Sequence, residues 1–431
     1  MKKIFLFLLL ALSLSANAQD KKKLIHFLLA GGGGSAPSLE YTPFPAIPTK
    51  SNGILLTSGM GSAISSGELD GATMAYVPDT WSNLLRAQSL DGIIFRPNRT
   101  DSLYAVLDGS ALGSISAMIG QTGSPVSTNI SFYKFVLEFN QALSSAHGIR
   151  WSGGTPGTNL YVQDAVIKYP KSPGIQINDF ASYGDLSMSF VRIFGVSGED
   201  PGSFIEGSYK GRTNPAEIGL IDRIHDLHWF ITNTAGDGYQ VNCVEDFRMS
   251  HFTITDVAYN GVSGQRSGIQ AQNLGDGAAI DSTIVDGASR AFVISGRDVT
   301  FNDVIFYSDD EGQYQDLVAS GYTTPLSTVG GTITLNRCEF YSRSGARDYG
   351  FTFAENFANL VLNDCKRGSD ITQIVSDIRT DTETYSITEN NTTIGTYEEP
   401  VYVSIDPDDR TTHGLITNTS YRTRKIGFRN K

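Results

Sequence analysis

Thr300-Phe301-Asn302-Asp303-Val304-Ile305-Phe306 and Thr334-Leu335-Asn336-Arg337-Cys338-Glu339-Phe340 share one pattern: an apolar residue, a small polar one, a spacer, then further apolar positions. The pattern recurs at residues 161–167, 187–193, 248–254 and 361–365, and begins more loosely at 279–281. A second element precedes many copies: Gly174-Ile175-Gln176-Ile177, Gly238-Tyr239-Gln240-Val241, Gly268-Ile269-Gln270-Ala271, Ala291-Phe292-Val293-Ile294 and Gly350-Phe351-Thr352-Phe353. Each is a short period-2 strand that sends two apolar side chains to one side.

The copies are unevenly spaced. Ile280 and Phe301 are 21 residues apart, Phe301 and Leu335 are 34, and Met188 and Met249 are 61. A unit of roughly two dozen residues, lengthened by insertions, produces such values. Short strands that each bury alternate residues close their core by wrapping into a coil and stacking coils about 4.8 Å apart. The expectation is an all-β, single-stranded right-handed parallel β-helix over residues 132–370, flanked by irregular caps at 19–131 and 371–431. Asn302, Asn336 and Asn363 then fall at one corner of successive coils. There asparagine is expected to take the left-handed conformation and to bond amide to amide up the stack, a structural role.

Composition fits this reading. The chain of 431 residues has 45 glycines and only 18% charged residues, which suits many short strands and tight turns. A formal charge of −12 disfavours nucleic acid as a partner, because such binding draws on clustered Lys and Arg. Three cysteines are too few for a disulfide framework. At the start, Lys2 and Lys3 precede an apolar run at 4–14 and the small residues Ala16-Asn17-Ala18. Residues 1–18 therefore read as a signal peptide too short to span a bilayer, and the mature chain is expected to be secreted, periplasmic or on the cell surface. Gly31–Gly34 and Pro37, Pro43, Pro45 and Pro48 mark an irregular stretch, and residues 81–87 read as a short helix.

The Gly-Ile-Gln-Ile strands followed by Ile-x-x-Asn resemble the parallel β-helix repeat family of exported bacterial proteins that includes the pectate-lyase-like enzymes. The resemblance covers about residues 132–370, and residues 233–241 look like its most typical coil. The consecutive carboxylates and Gly-His-Gly of polygalacturonases are absent. The scaffold carries lyases, hydrolases, epimerases, adhesins and tail spikes, so the resemblance speaks to fold more than to activity.

In lyases of this scaffold the substrate lies in a groove along one parallel sheet. The resemblance therefore directs attention to the outward residues of the Gly-Ile-Gln-Ile strands: Gln176, Gln240, Gln270, Val293 and Thr352. Amides hydrogen-bond sugar hydroxyls but make poor bases and weak calcium ligands, so the column favours binding over chemistry. At the edge of the same strands stand Asp237, Arg266, Arg290, Arg297 and Asp348. Asp237 and Arg290 are expected two coils apart with Arg266 between them, where a carboxylate and guanidinium groups could abstract a proton and neutralise an acidic sugar. Asp309-Asp310-Glu311, followed by Tyr314 and Tyr322, is a second carboxylate cluster that would suit a glycosidase or calcium. His228 and His251 are expected to stack on an outer corner, as are Cys338 and Cys365 in the core, while Cys243 has no evident partner.

The expected function is binding of a polysaccharide or cell-surface glycan along the sheet. Alternatives are a polysaccharide lyase or glycosidase using Asp237, Arg266 and Arg290 or Asp309 and Asp310, and a structural adhesin or spike shaft. No cofactor is assigned, with calcium left as a possible ion.

Overall fold

The structure, a computed structural model, describes residues 49–50, 53–55, 83–86, 94–95, 105–108, 117–121, 130–139, 147–152, 158–178, 183–198, 200–206, 221–257, 266–288, 290–296, 298–308, 331–342, 349–353, 357–377, 386–407, 409 and 413–429. The chain divides into two units, 1–41 and 42–431, and every described residue belongs to the second. No helix among these residues is long and apolar enough to cross a membrane.

Apart from an antiparallel pair, Thr49–Lys50 with Gly53–Leu55, the paired strands run parallel to their neighbours. They form three faces of a parallel β-helix. Face A contains His147–Ser152, Ile175–Asn178, Ser203–Glu206, the start of Tyr239–Ser250, Ser267–Leu274 and Arg290–Gly296. Face B takes the first part of Thr158–Lys168, Tyr183–Phe194 and Ile221–Thr234, the end of Tyr239–Ser250, then Ala278–Asp281, Asp298–Asn302, Gly331–Asn336, Phe357–Asn363 and Ser386–Asn390. Face C holds the second parts of the long strands, then Thr253–Val257, Ile284–Ala288, Ile305–Ser308, Glu339–Ser342, Lys366–Arg367 and Thr393–Ile394. Asn83–Arg86 lies within the segment expected to be a short helix; it is a strand paired with Ala117–Gln121. Ladder pairing overrides the weak local preference of Leu84 and Leu85.

Face B meets face C at a corner of one residue. Asp164, Phe190, His228, His251, Ser282, Asp303, Arg337, Asp364 and Asn391 occupy it, each with φ between 49° and 65°. The asparagines therefore sit one position earlier than expected: Asn302, Asn336 and Asn363 stay in the strand, and the following residue turns the chain. Their amides do stack. Asn302 donates to Asp281 at 2.7 Å, Asn336 to Asn302 at 2.9 Å, Asn363 to Asn336 at 2.8 Å and Asn390 to Asn363 at 2.8 Å. A left-handed non-glycine residue costs about 1–2 kcal/mol, and each side-chain bond returns roughly 0.5–1.5.

Glycine is required where the chain enters face A. A Cβ on Gly238 would stand 2.6 Å from the Gly268 carbonyl oxygen and 2.5 Å from Ile254 Cγ2, so the coils could not stack this closely.

The core consists of columns of alternate residues. On face B the inward column runs Val162, Met188, Asp226, Met249, Ile280, Phe301, Leu335, Leu362. The gap between Met188 and Met249 is thus two coils, and the intervening rung holds a carboxyl where all its neighbours are apolar. Asp226 is fully buried and accepts from the Tyr239 hydroxyl at 2.8 Å and the Met188 N–H at 3.0 Å. Burial outweighs both bonds and lifts its pKa to about 8. Around it, Trp229 stacks on Phe252 with centroids 5.4 Å apart, and Tyr239 meets Trp229 edge-on.

Residues 386–394 form the last described rung. Ser386–Asn390 is exposed along its whole length. Residues 396–407, 409 and 413–429 then run back along the outside of face C as a strap that includes the short helix α1, Thr419–Arg424. Phe428 packs with Val136, Val166, Phe194 and Phe230, and Ile416, Tyr421 and Ile426 pack with Ile284, Ile305 and Tyr341.

Candidate functional site

The outward column of face A is Arg150, Gln176, Phe204, Gln240, Gln270, Val293. The expected glutamine ladder is therefore broken: Phe204 separates Gln176 from Gln240, Arg150 begins the run, and Val293 is buried. Gln240 and Gln270 are direct neighbours. Arg150, Gln176, Phe204, Gln240 and Gln270 are all partly exposed. Two residues along, Asn242 faces Gln272; Gln270 donates to Gln272 at 3.0 Å and Asn273 to Asn242 at 2.6 Å. Phe204 escaped the sequence reading because its strand, Gly202-Ser203-Phe204-Ile205, lacks the Ile-Gln pair.

At the entry to this face, Ser267 stands in register with Arg290 and, through its N–H, caps the Asp237 carboxylate at 2.6 Å. Ser267 thus fills the place expected for Arg266, which lies one residue earlier, its carbonyl accepting from the Arg290 N–H at 3.0 Å. Asp237 is 9% exposed. Burial raises its pKa, against the Ser267 N–H and the positive charges of Arg290 and Arg266. The three expected residues do come together, yet the carboxyl is turned into the coil and bonded to backbone. That geometry suits holding the strand entry better than taking a proton from a ligand.

Asp309, Asp310, Glu311, Tyr314, Tyr322, Arg297 and Asp348 lie outside the described residues, as does the side chain of Thr352. Among the described residues no group of three or more His, Cys, Asp or Glu is placed to hold a metal ion. His228 and His251 stack at 4.7 Å, and Phe190 extends the stack at another 4.7 Å. Cys243, Cys338 and Cys365 are buried free thiols.

A second constellation lies on the outside of face B, which the sequence reading did not single out. Here the outward residues run Tyr161, Ser187, His225, Arg248 in one column and Asp185, Arg223, Asp246 in the next. Asp246 accepts from His225 Nε2 at 3.2 Å, Arg223 Nε at 3.2 Å and Arg248 Nε at 3.4 Å, and Arg223 also pairs with Asp185 at 3.3 Å. Partial burial alone would raise the Asp246 carboxyl; His225, Arg223 and Arg248 outweigh it and hold it below the usual range. Burial and the Asp185 charge push Tyr161 up to about 12, against Arg223. His225 and Asp246 are 21 residues apart and share no motif, so only the coil register unites them.

No protein-family model matches the chain, and no curated protein matches it. Among solved structures, the chain is similar to the A-module of the mannuronan C-5 epimerase AlgE4 of Azotobacter vinelandii, at 13% identity and a TM-score of 0.40, over 75% of this chain and 86% of that one. It is also similar to the AlgE6 A-module of the same organism, at 11% identity and a TM-score of 0.26, over 79% of this chain and 95% of that one. The fold itself, a parallel β-helix, is read from the register of the chain's own strands.

Proposed function

We propose that the chain binds an extended polysaccharide along face A, outside the cytoplasm after export through residues 1–18. The observation that carries this reading is the outward column Arg150, Gln176, Phe204, Gln240, Gln270, in which cation, amide and aromatic groups follow one another at successive rungs. Rungs repeat every 4.8 Å or so, which presents a regular row of groups to a linear ligand. Amides donate to and accept from hydroxyls, an aromatic ring packs against the C–H face of a sugar, and guanidinium matches a carboxylate bidentately. The test is affinity electrophoresis and titration calorimetry against soluble polyuronates and neutral glucans. Phe204→Ala with Gln240→Ala is expected to weaken binding about tenfold or more, roughly 1.4 kcal/mol. Failure of the wild-type chain to bind any of these polymers, or equal binding by the double variant, overturns it.

A catalytic reading is favoured by one observation, the convergence of His225, Arg223 and Arg248 on Asp246. Asp246 orients the ring through Nε2, which leaves Nδ1 as the basic nitrogen, and the guanidinium groups would meet an acidic sugar. This reading moves chemistry from Asp237 on face A to face B. It expects new reducing ends or unsaturated uronate from an acidic glycan, abolished in His225→Ala; silence across polyuronates removes it.

A further inference from the structure

Beside the Arg424 ion pairs, the strap closes over buried histidine at two places on the helix. His413 is fully buried, wedged between Phe194 at 4.4 Å and Phe230 at 4.7 Å, and neither ring nitrogen has a hydrogen-bond partner. Arg192 and Asp409 are the charges that face it, and the Arg192 guanidinium lies 4.8 Å over the Phe428 ring. At the corner, the stacked His228 and His251 each have a buried Nδ1 without a partner. Arg429 faces both rings, and His251 also meets Lys425, through that residue's backbone and its charge, with Asp281 as the opposing carboxylate. The chain has six histidines, and three of them lie on this one seam. In each case the neighbouring cations outnumber or match the carboxylates, so an added proton would find little compensation.

We propose that residues 396–407 and 413–429 form an acid-released cover over face C, closed while His228, His251 and His413 are neutral and loosened when they take up protons. Burial is the largest cause holding all three below the ordinary imidazole range, His228 at about 4 and His413 at about 3. An imidazole freed from the seam recovers its ordinary value near 6.5. The sign follows from linkage: a depressed histidine supports the closed strap above about pH 6.5, and that support is lost as pH falls toward the buried value. Each unit of fall disfavours closure by up to about tenfold per histidine. Other ties respond differently. Arg424 pairs with Glu339 and Asp303, and Tyr397 donates to Asp286 at 2.7 Å; these ties contain no histidine. The seam around His413 and Phe428 therefore opens before the α1 anchor, uncovering Val166, Phe194 and Phe230.

The experiment is hydrogen exchange on the full chain from about pH 7.5 to about pH 4.5, corrected for intrinsic rates. Strap peptides covering 401–407 and 413–429 are expected to lose protection while strands at 221–257 keep theirs. His413→Phe, which leaves an apolar ring between Phe194 and Phe230, is expected to move the opening to lower pH and cut the open population at the acid end about tenfold. If that variant does not fold, His228→Phe, which extends the Phe190 stack, carries the same direction. Loss of protection by strap and core together, or variant profiles that superpose on the wild type, overturns the proposal.

Discussion

Faces A and C are made by the same coils, yet their outer surfaces have opposite fates. From Val136 to Ile305 the outward column of face C runs Val136, Val166, Arg192, Phe230, Thr253, Ile284, Ile305, apolar but for Arg192 and Thr253, and lies beneath the strap. Face A carries Arg150, Gln176, Phe204, Gln240 and Gln270, all partly exposed. A β-strand buried on both sides reads as almost continuously apolar, whereas one with a wet side alternates. An outward column thus tells whether its face is covered by the chain itself or left for something else, and a phenylalanine has a different meaning on each.

The largest expected effect is Phe230→Ala, which removes a fully buried ring from under the strap and should destabilise by about 3–5 kcal/mol in denaturant titration. The equivalent truncation on face A, Phe204→Ala, should change stability far less while lowering ligand affinity; equal losses at both sites would break the contrast. Asp226→Asn probes the core that both faces share. Because the folded carboxyl holds its proton up to about pH 8, native stability should be greatest below the unfolded value near 3.9 and fall as pH rises through that window. The amide variant should lose this slope, on the order of a few kcal/mol, measured as stability against pH. At the B–C corner, Asn336→Ala deletes one donated and one accepted ladder bond and should cost about 1–2 kcal/mol. Least of all, Asp246→Asn on face B should shift stability by less than about 1 kcal/mol, since its partners are 41–50% exposed.

The ladder was legible where its columns are chemically uniform. Asn302, Asn336 and Asn363 follow an apolar residue in every copy, so phase could be counted directly. It was faint at the coil of Asp226, because a polar residue in the core column erases the apolar signal used to count coils, and only the 23-residue spacing of His228 and His251 marked a rung between Met188 and Met249. Sites suffered more. The closeness of Asp237 to Arg266 and Arg290 was legible, but its burial against the Ser267 N–H was not, because no local pattern announces that contact. The His225–Asp246 pair joins residues from different strands and exists only once the register is known. Phe204 stands in a strand whose preceding buried neighbour is Ser203 rather than isoleucine, and it is itself not glutamine, so the Ile-Gln template passed over it.

The single-residue bend between faces B and C has an effect on tolerance to change. Successive rungs there, from Phe190 to Asp364, are separated by 38, 23, 31, 21, 34 and 27 residues, yet each pair meets in register. With this hinge point constant, excursions elsewhere around the circumference can lengthen or shrink without disturbing the phase of the next turn. The spine is thus insulated from its own decorations, and new binding loops can be tried on it with little penalty to the scaffold.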